Sequence, residues 1–294
     1  MRTKQLRRFF TTIFAIGAFI TTSGAATTPY FESFEGYALG DTAVTNFTEL
    51  STADWTIVSP SISGQGYQNA IGQTVSGPGF AAGQASSSAI DLPGLASSAF
   101  SISTSFRIDS LTTTSVDPSG FAYVGLAARA ADNIYASTGA DRYQVSYYLD
   151  GATGFPSIPT GKLYLTEINS SFGDGLGGAI STGTLAIVLG DIYSLTLTGT
   201  PAGGSLAVSA ILTDLNTSSS ISVAATDSAN ILGGSFFGYM NSVRVQDGGT
   251  TAINVDFDNF SASVPEPATG VLFLFACAAF AARQLRKASE PHGT

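Results

Sequence analysis

Between residues 191 and 214 apolar and polar side chains change places at every step, twice over, around a turn. Tyr193, Leu195 and Leu197 alternate with Ser194, Thr196 and Thr198; Pro201, Gly203 and Gly204 follow, and then Leu206, Val208, Ala210 and Leu212 resume the alternation. A strand sends successive side chains to opposite faces, so a period of two marks a strand with one face in a core and one in water. Two such runs joined by a glycine turn predict a hairpin. Phe100, Ile102, Phe106 and Ile108 repeat the pattern against Ser101, Ser103, Ser105, Arg107 and Asp109. Further strands are expected around Phe31 to Phe34, Trp55 to Val58, Ala122 to Ala128, Tyr143 to Leu149, Leu163 to Ile168, Phe236 to Val245 and Ile253 to Ser261. A dozen or so strands with no amphipathic helix between them point to an all-β, two-sheet sandwich. No repeat at fixed spacing suggests a propeller or solenoid. No long Pro-rich or charged linker divides the region, so one domain over residues 27–263 is expected.

Composition agrees, with 33 Gly and 11% charged residues in a chain of 294. The charge is unevenly placed. Arg2, Lys4, Arg7 and Arg8 open the chain and Arg283, Arg286 and Lys287 nearly close it; between Ala26 and Val264 five cations face nineteen acids, a formal charge of −14. Phosphate binding needs clustered cations, so a nucleic-acid partner is excluded. Cys277, the single cysteine, lies in the C-terminal apolar segment, so the folded region holds by burial without an internal disulfide.

Both ends read as addresses. Residues 1–26 have the order of a secretory signal peptide: the basic start, an apolar run from Phe9 to Ile20, then Ser23, Gly24, Ala25 and Ala26. Cleavage after Ala25 or after Ala26 fits equally. An N-terminal signal helix is the expected form of this segment. At the other end, residues 264–294 bring Pro265, Glu266 and Pro267, an apolar stretch from Ala268 to Ala282, then the basic stop Arg283, Arg286 and Lys287. As a helix those fifteen residues span roughly 22 Å against a hydrocarbon core of ~30 Å, a gap that thinning and snorkelling can close. The trailing cations favour the cytoplasm, which places the acidic domain outside, as the signal peptide does. The two prolines hold Glu266 in an extended stretch at the membrane face.

Motif, apolar helix and basic stop in that order resemble the PEP-CTERM sorting signal, over about the last 30 residues. The resemblance implies a protein exported by a Gram-negative cell, held in the inner membrane by its C-terminal helix, processed by an exosortase-type enzyme, and released to the cell surface or an exopolysaccharide matrix. An uncut C-terminal anchor is the competing reading, since the tail from Ala288 to Thr294 is longer than such signals commonly carry. A second resemblance rests on FESFEGYALGD, on YSLTLTGTPAGGSLAVSAILTD, and on FGYMN with VDFDNFSAS. These are similar to concanavalin A-like, laminin-G-like jelly rolls, in which the first and last strands commonly pair. Relatives of that architecture often hold a structural calcium where those strands meet, which would fall to Glu35 and Asp258, with Asp256 and Asp41 as additional ligands. A hard cation takes carboxylate and carbonyl oxygens; solvated edge charges that deter strand pairing are the alternative for the same acids.

Little in the domain points to catalysis. His292, the single histidine, lies in the tail, so a histidine-based triad or zinc site has no base or ligand in the folded region. The E-x-D-x-x-E strand pattern of some jelly-roll glucanases is missing. Carbohydrate binding is a stronger rival, because aromatic faces stack on sugar rings. Trp55, Tyr123, Tyr147 and Tyr148 are the candidates, with Tyr67, Tyr143 and Tyr164 behind them; Trp55 also suits a core anchor, and adjacent Tyr147 and Tyr148 must point to opposite faces of their strand. The functional readings are a non-catalytic surface or exopolysaccharide-matrix protein, a module that recognises an extracellular polysaccharide, and, on the weakest footing, a glycan-active enzyme.

Overall fold

A computed structural model describes residues 29–50, 54–77, 79, 81–114, 120–132, 141–150, 157–169, 176–229 and 231–264. The signal segment 1–26, the sorting motif at 265–267, the apolar segment 268–282 and the basic stop at 283–287 lie outside the described residues.

Among the described residues fifteen strands, numbered in chain order, form two antiparallel sheets. In order across the first are β13 (Ser220–Asp227), β12 (Ser205–Asp214), β11 (Ile192–Ala202), β6 (Phe100–Thr113), β15 (Gly249–Ser263), β4 (Gly66–Val75) and β3 (Trp55–Val58), with β1 (Tyr30–Glu32) on the far end of β15. The second runs β10 (Ala179–Ile180), β9 (Leu163–Ile168), β8 (Arg142–Asp150), β7 (Phe121–Ala130), β14 (Phe236–Gln246), β5 (Ala81–Asp91) and β2 (Phe47–Leu50). Pro93–Leu95 forms a short 3-10 turn. The protein is an all-β two-sheet sandwich.

The predicted hairpin is β11 and β12. Its turn falls at Gly203 and Gly204, with φ of 58° and 91°, values that glycine adopts at little steric cost. Inward-facing Leu195, Leu197, Leu206, Val208 and Leu212 are buried, while Ser194, Thr196, Thr198 and Ser209 line the outward face. First and last strands pair as expected, with Tyr30 opposite Ala262 and Glu32 opposite Phe260. Between the sheets the rings of Trp55, Tyr67, Tyr239 and Phe257 pack together; Tyr239 and Phe257 lie 4.6 Å apart, and Trp55 and Tyr67 4.9 Å. Asn69 Nδ2 donates to Ser86 Oγ at 3.1 Å, a polar tie between the sheets inside this apolar packing.

Candidate functional site

The two outward faces of the sandwich differ in chemistry. On the first sheet, neighbouring ranks place Ser105, Ser103 and Ser101 of β6 beside Ser194, Thr196 and Thr198 of β11, a hydroxyl-rich surface. On the second, the face turned away from the main core carries a second buried apolar cluster: Tyr123 on β7 and Tyr148 on β8 pack with Ala89, Ile158 and Met240, and Phe121 on β7 and Tyr164 on β9, half-buried, lie at its margin. Tyr123 and Tyr148 are cross-strand partners with rings 5.4 Å apart; Phe121 stacks on Tyr123 at 5.6 Å, and Tyr164 meets Tyr148 edge-on at 6.4 Å. The rings form one continuous belt across the strands.

Small residues make room for it. Gly125 lies between Ser146 and Met240, and Ala127 between Gln144 and Gly238. A β-carbon on Gly125 would fall 2.3 Å from the carbonyl oxygen of Val145, so this position tolerates nothing larger. Beside the belt, Gln144 Nε2 donates to Ser146 Oγ (2.8 Å) and reaches Tyr123 Oη (3.4 Å), while Arg142 Nε donates to Gln144 Oε1 (2.9 Å). Tyr123 and Tyr148 are each 7% exposed, whereas Phe121 and Tyr164 at the two ends are half-buried. Burial pushes the Tyr148 hydroxyl above its ordinary pKa, with Tyr123 and Tyr164 adding to the shift, so the ring stays neutral.

Trp55 and Tyr147 do not belong to this surface. Both are fully buried between the sheets, because their strand positions fall on the inward parity; Tyr147 Oη donates to the Leu185 carbonyl (3.1 Å), and Trp55 packs on Tyr67 and Tyr239. Tyr67 and Tyr143 are likewise internal. Tyr147 and Tyr148 separate to opposite faces as their adjacency requires. Phe121, Gln144 and Ser146 escaped the sequence reading, although Phe121 shares parity with Tyr123, and Gln144 and Ser146 with Tyr148.

Glu35 and Asp258 do come together, but around a loop. Asp258 Oδ2 accepts from the backbone N–H of Ser63 (3.1 Å) and from its hydroxyl, and Oδ1 accepts from Asn259 N–H (2.7 Å). Glu35 Oε1 accepts from Gln65 N–H (2.8 Å), and the carboxylate occupies the place a β-carbon on Gly64 would take. The two acids therefore grip the Ser63–Gln65 segment. Asp256 is engaged by Arg107, which also donates to Asp109 (2.7 Å), and Gln68 Nε2 donates to Asp256 Oδ1 at 2.9 Å. Asp41 accepts from Ala38 N–H within an exposed turn. A calcium cage needs oxygens turned toward one point. These carboxylates are instead met by N–H and O–H donors, and among the described residues no three acidic, histidine or cysteine side chains converge on a cation position. The four acids are thus engaged by the protein's own donors where the jelly-roll resemblance implies a calcium.

The sequence matches no family model and no curated protein. Its strand layout is similar to solved legume lectins. Peanut lectin with a nine-residue peptide is 10% identical, with 82% of this chain and 100% of that chain covered and a TM-score of 0.45. The winged bean acidic lectin complexed with methyl-α-D-galactose is 10% identical over 81% of this chain and 100% of that one, TM-score 0.46. Lectin I from Ulex europaeus, in complex with the methyl glycoside of α-L-fucose, is 10% identical over 80% and 98%, TM-score 0.43.

Proposed function

We propose that the chain is an exported, non-catalytic protein that binds an extracellular polysaccharide through the outward face of its second sheet. The observation that carries this reading is the aromatic belt Phe121–Tyr123–Tyr148–Tyr164, whose end rings Phe121 and Tyr164 are half-buried while its central rings are enclosed. The half-buried end rings, Phe121 and Tyr164, are the ones a sugar would stack on, and the buried Tyr123 and Tyr148 hold them in place from behind. The non-catalytic character is supported by the carboxylate pairs: Asp109 and Asp256 share Arg107, while Glu35 and Asp258 hold a loop, which leaves neither pair poised as acid and base across a glycosidic bond.

Export by residues 1–26 and sorting by Pro265, Glu266 and Pro267, with Arg283, Arg286 and Lys287 as the stop, complete the proposal; both rest on the order of basic, apolar and motif residues. Affinity electrophoresis of the full chain through gels cast with acidic and neutral bacterial polysaccharides tests the binding. The wild type is retarded by at least one polymer, and Tyr164→Ala and Phe121→Ala each weaken retardation about tenfold, the scale of 1 to 2 kcal/mol for a lost stacking contact. Migration unaffected by every polymer defeats the reading.

A further inference from the structure

A sandwich has four open sheet margins, and here they are unequal. Strands β3, β2 and β10, which end three of them, are 4, 4 and 2 residues long. Short edge strands are one way soluble proteins keep unpaired backbone groups from recruiting another chain. The fourth margin is β13, eight residues long, with its register to β12 unbroken from Leu206 opposite Asp227 to Thr213 opposite Ser220. It carries no proline, no lysine and no bulge. Its one acid, Asp227, is buried and satisfied from within, by Tyr143 Oη and the N–H of Ala229. None of the usual safeguards is present on this edge.

We propose that β13 is a dimer interface, pairing antiparallel with β13 of a second copy of this chain about a two-fold axis normal to the sheet. Such an axis keeps the outward face of one copy continuous with the outward face of the other, so paired residues must share parity and the centre must fall on a residue. Centred on Val223, Ser222 lies opposite the partner's Ala224, and Ser220 opposite the partner's Thr226. No acid opposes an acid. That matters for a domain with nineteen acids and five cations, which meets its own copy at least electrostatic cost along a margin bare of charge. The outward residues of the next strand, Ala207, Ser209, Ile211 and Thr213, are uncharged too, and Ile211, opposite Ser222, is 50% exposed. On the other side of the margin, Ile180 of β10 is 37% exposed and shares a shallow groove with Ser222, Val223 and Ala224, which places an apolar contact beside the backbone pairing. A two-fold pairing is self-limiting, since each copy spends its one long edge on the other.

Sedimentation equilibrium of the full chain in density-matched detergent tests this, with the apolar end segments solubilised. The expected protein mass is near twice 30.1 kDa for the wild type and near 30.1 kDa for Ala224→Lys, which sets two cations beside the axis at an exposed position. The thermal midpoint of Ala224→Lys should stay within about 2 °C of wild type, as for surface substitutions generally. Hydrogen exchange adds a second reading: amides of Ile221 to Ala225 become better protected as protein concentration rises, and this dependence is lost in the variant. A wild type that is monomeric at about 100 µM, or a dimer that survives Ala224→Lys, overturns the proposal.

Discussion

Asp258 sits where burial and hydrogen bonding pull in opposite directions. Burial raises its pKa, and the charge of Glu35 adds to that, while the donors on Ser63 and Asn259 act the other way; the balance is upward. Asp256 is raised as well, by burial first and by Asp109 next, with Gln68 and Arg107 opposing. A native state that holds these protons more tightly than the unfolded chain is favoured by acid. Their contribution is therefore complete below the ordinary carboxylate range, near pH ~4, and is lost as pH rises through the raised native values. The thermal midpoint should climb by a few degrees between pH 7 and about pH 5, and Asp258→Asn should flatten that climb. Calcium or excess chelator should leave the wild-type midpoint unmoved, because the oxygens already have donors; a calcium-dependent rise that vanishes in Asp258→Asn would restore the cation. None of this could be read from FESFEG and VDFDNF. The sequence brings two acids to neighbouring strands, but Ser63 and Gln65, the groups that decide what the acids do, lie some 30 residues from one and nearly 200 from the other.

At the scale of strands, legibility followed side-chain size. Where large apolar residues alternate with hydroxyls, as in β6, β11 and β12, the period of two gave both the strand and its inward face. Strands β4 and β5 went unseen because their inward positions include Asn69, Ser86 and Ser88, which interrupt any apolar alternation. Strand β13 is muted by its small residues, and β2 and β10 are too short to show a period. The aromatic belt was half visible: Tyr123 and Tyr148 stood out as single candidates, but their pairing depends on a register, Tyr123 to Tyr148, set by a bulge between Ala122 and Tyr123. Close strand approach has its own requirement at Gly238, where a β-carbon would lie 2.1 Å from the Ser88 carbonyl oxygen and 2.7 Å from the Ala89 α-carbon. Gly238→Ala must push β14 from β5, and a loss of about 1 to 3 kcal/mol in urea unfolding is expected. An unchanged midpoint would mean the sheet yields there without cost.

For the molecule as a whole, the pairing of β1 with β15 sets the two ends of the domain side by side. If Pro265, Glu266 and Pro267 direct processing, their replacement by alanine in an exosortase-bearing host leaves full-length protein in the membrane fraction; processing at the wild-type rate would favour the uncut anchor instead.

The same pairing has a mechanical side. Strand β15 is flanked by β6 along one margin and by β4 and β1 along the other, and the described chain leaves it at Val264. Tension applied at residue 264 is directed along the axis of a fifteen-residue strand held on both sides, so the ladder bonds are sheared together and not peeled one after another. Resistance to such a pull is set by the unfolding rate, not by the equilibrium stability. A tethered domain of this build should bear load through its tail far better than through the β11–β12 hairpin, whose Gly203–Gly204 tip would let the strands unzip.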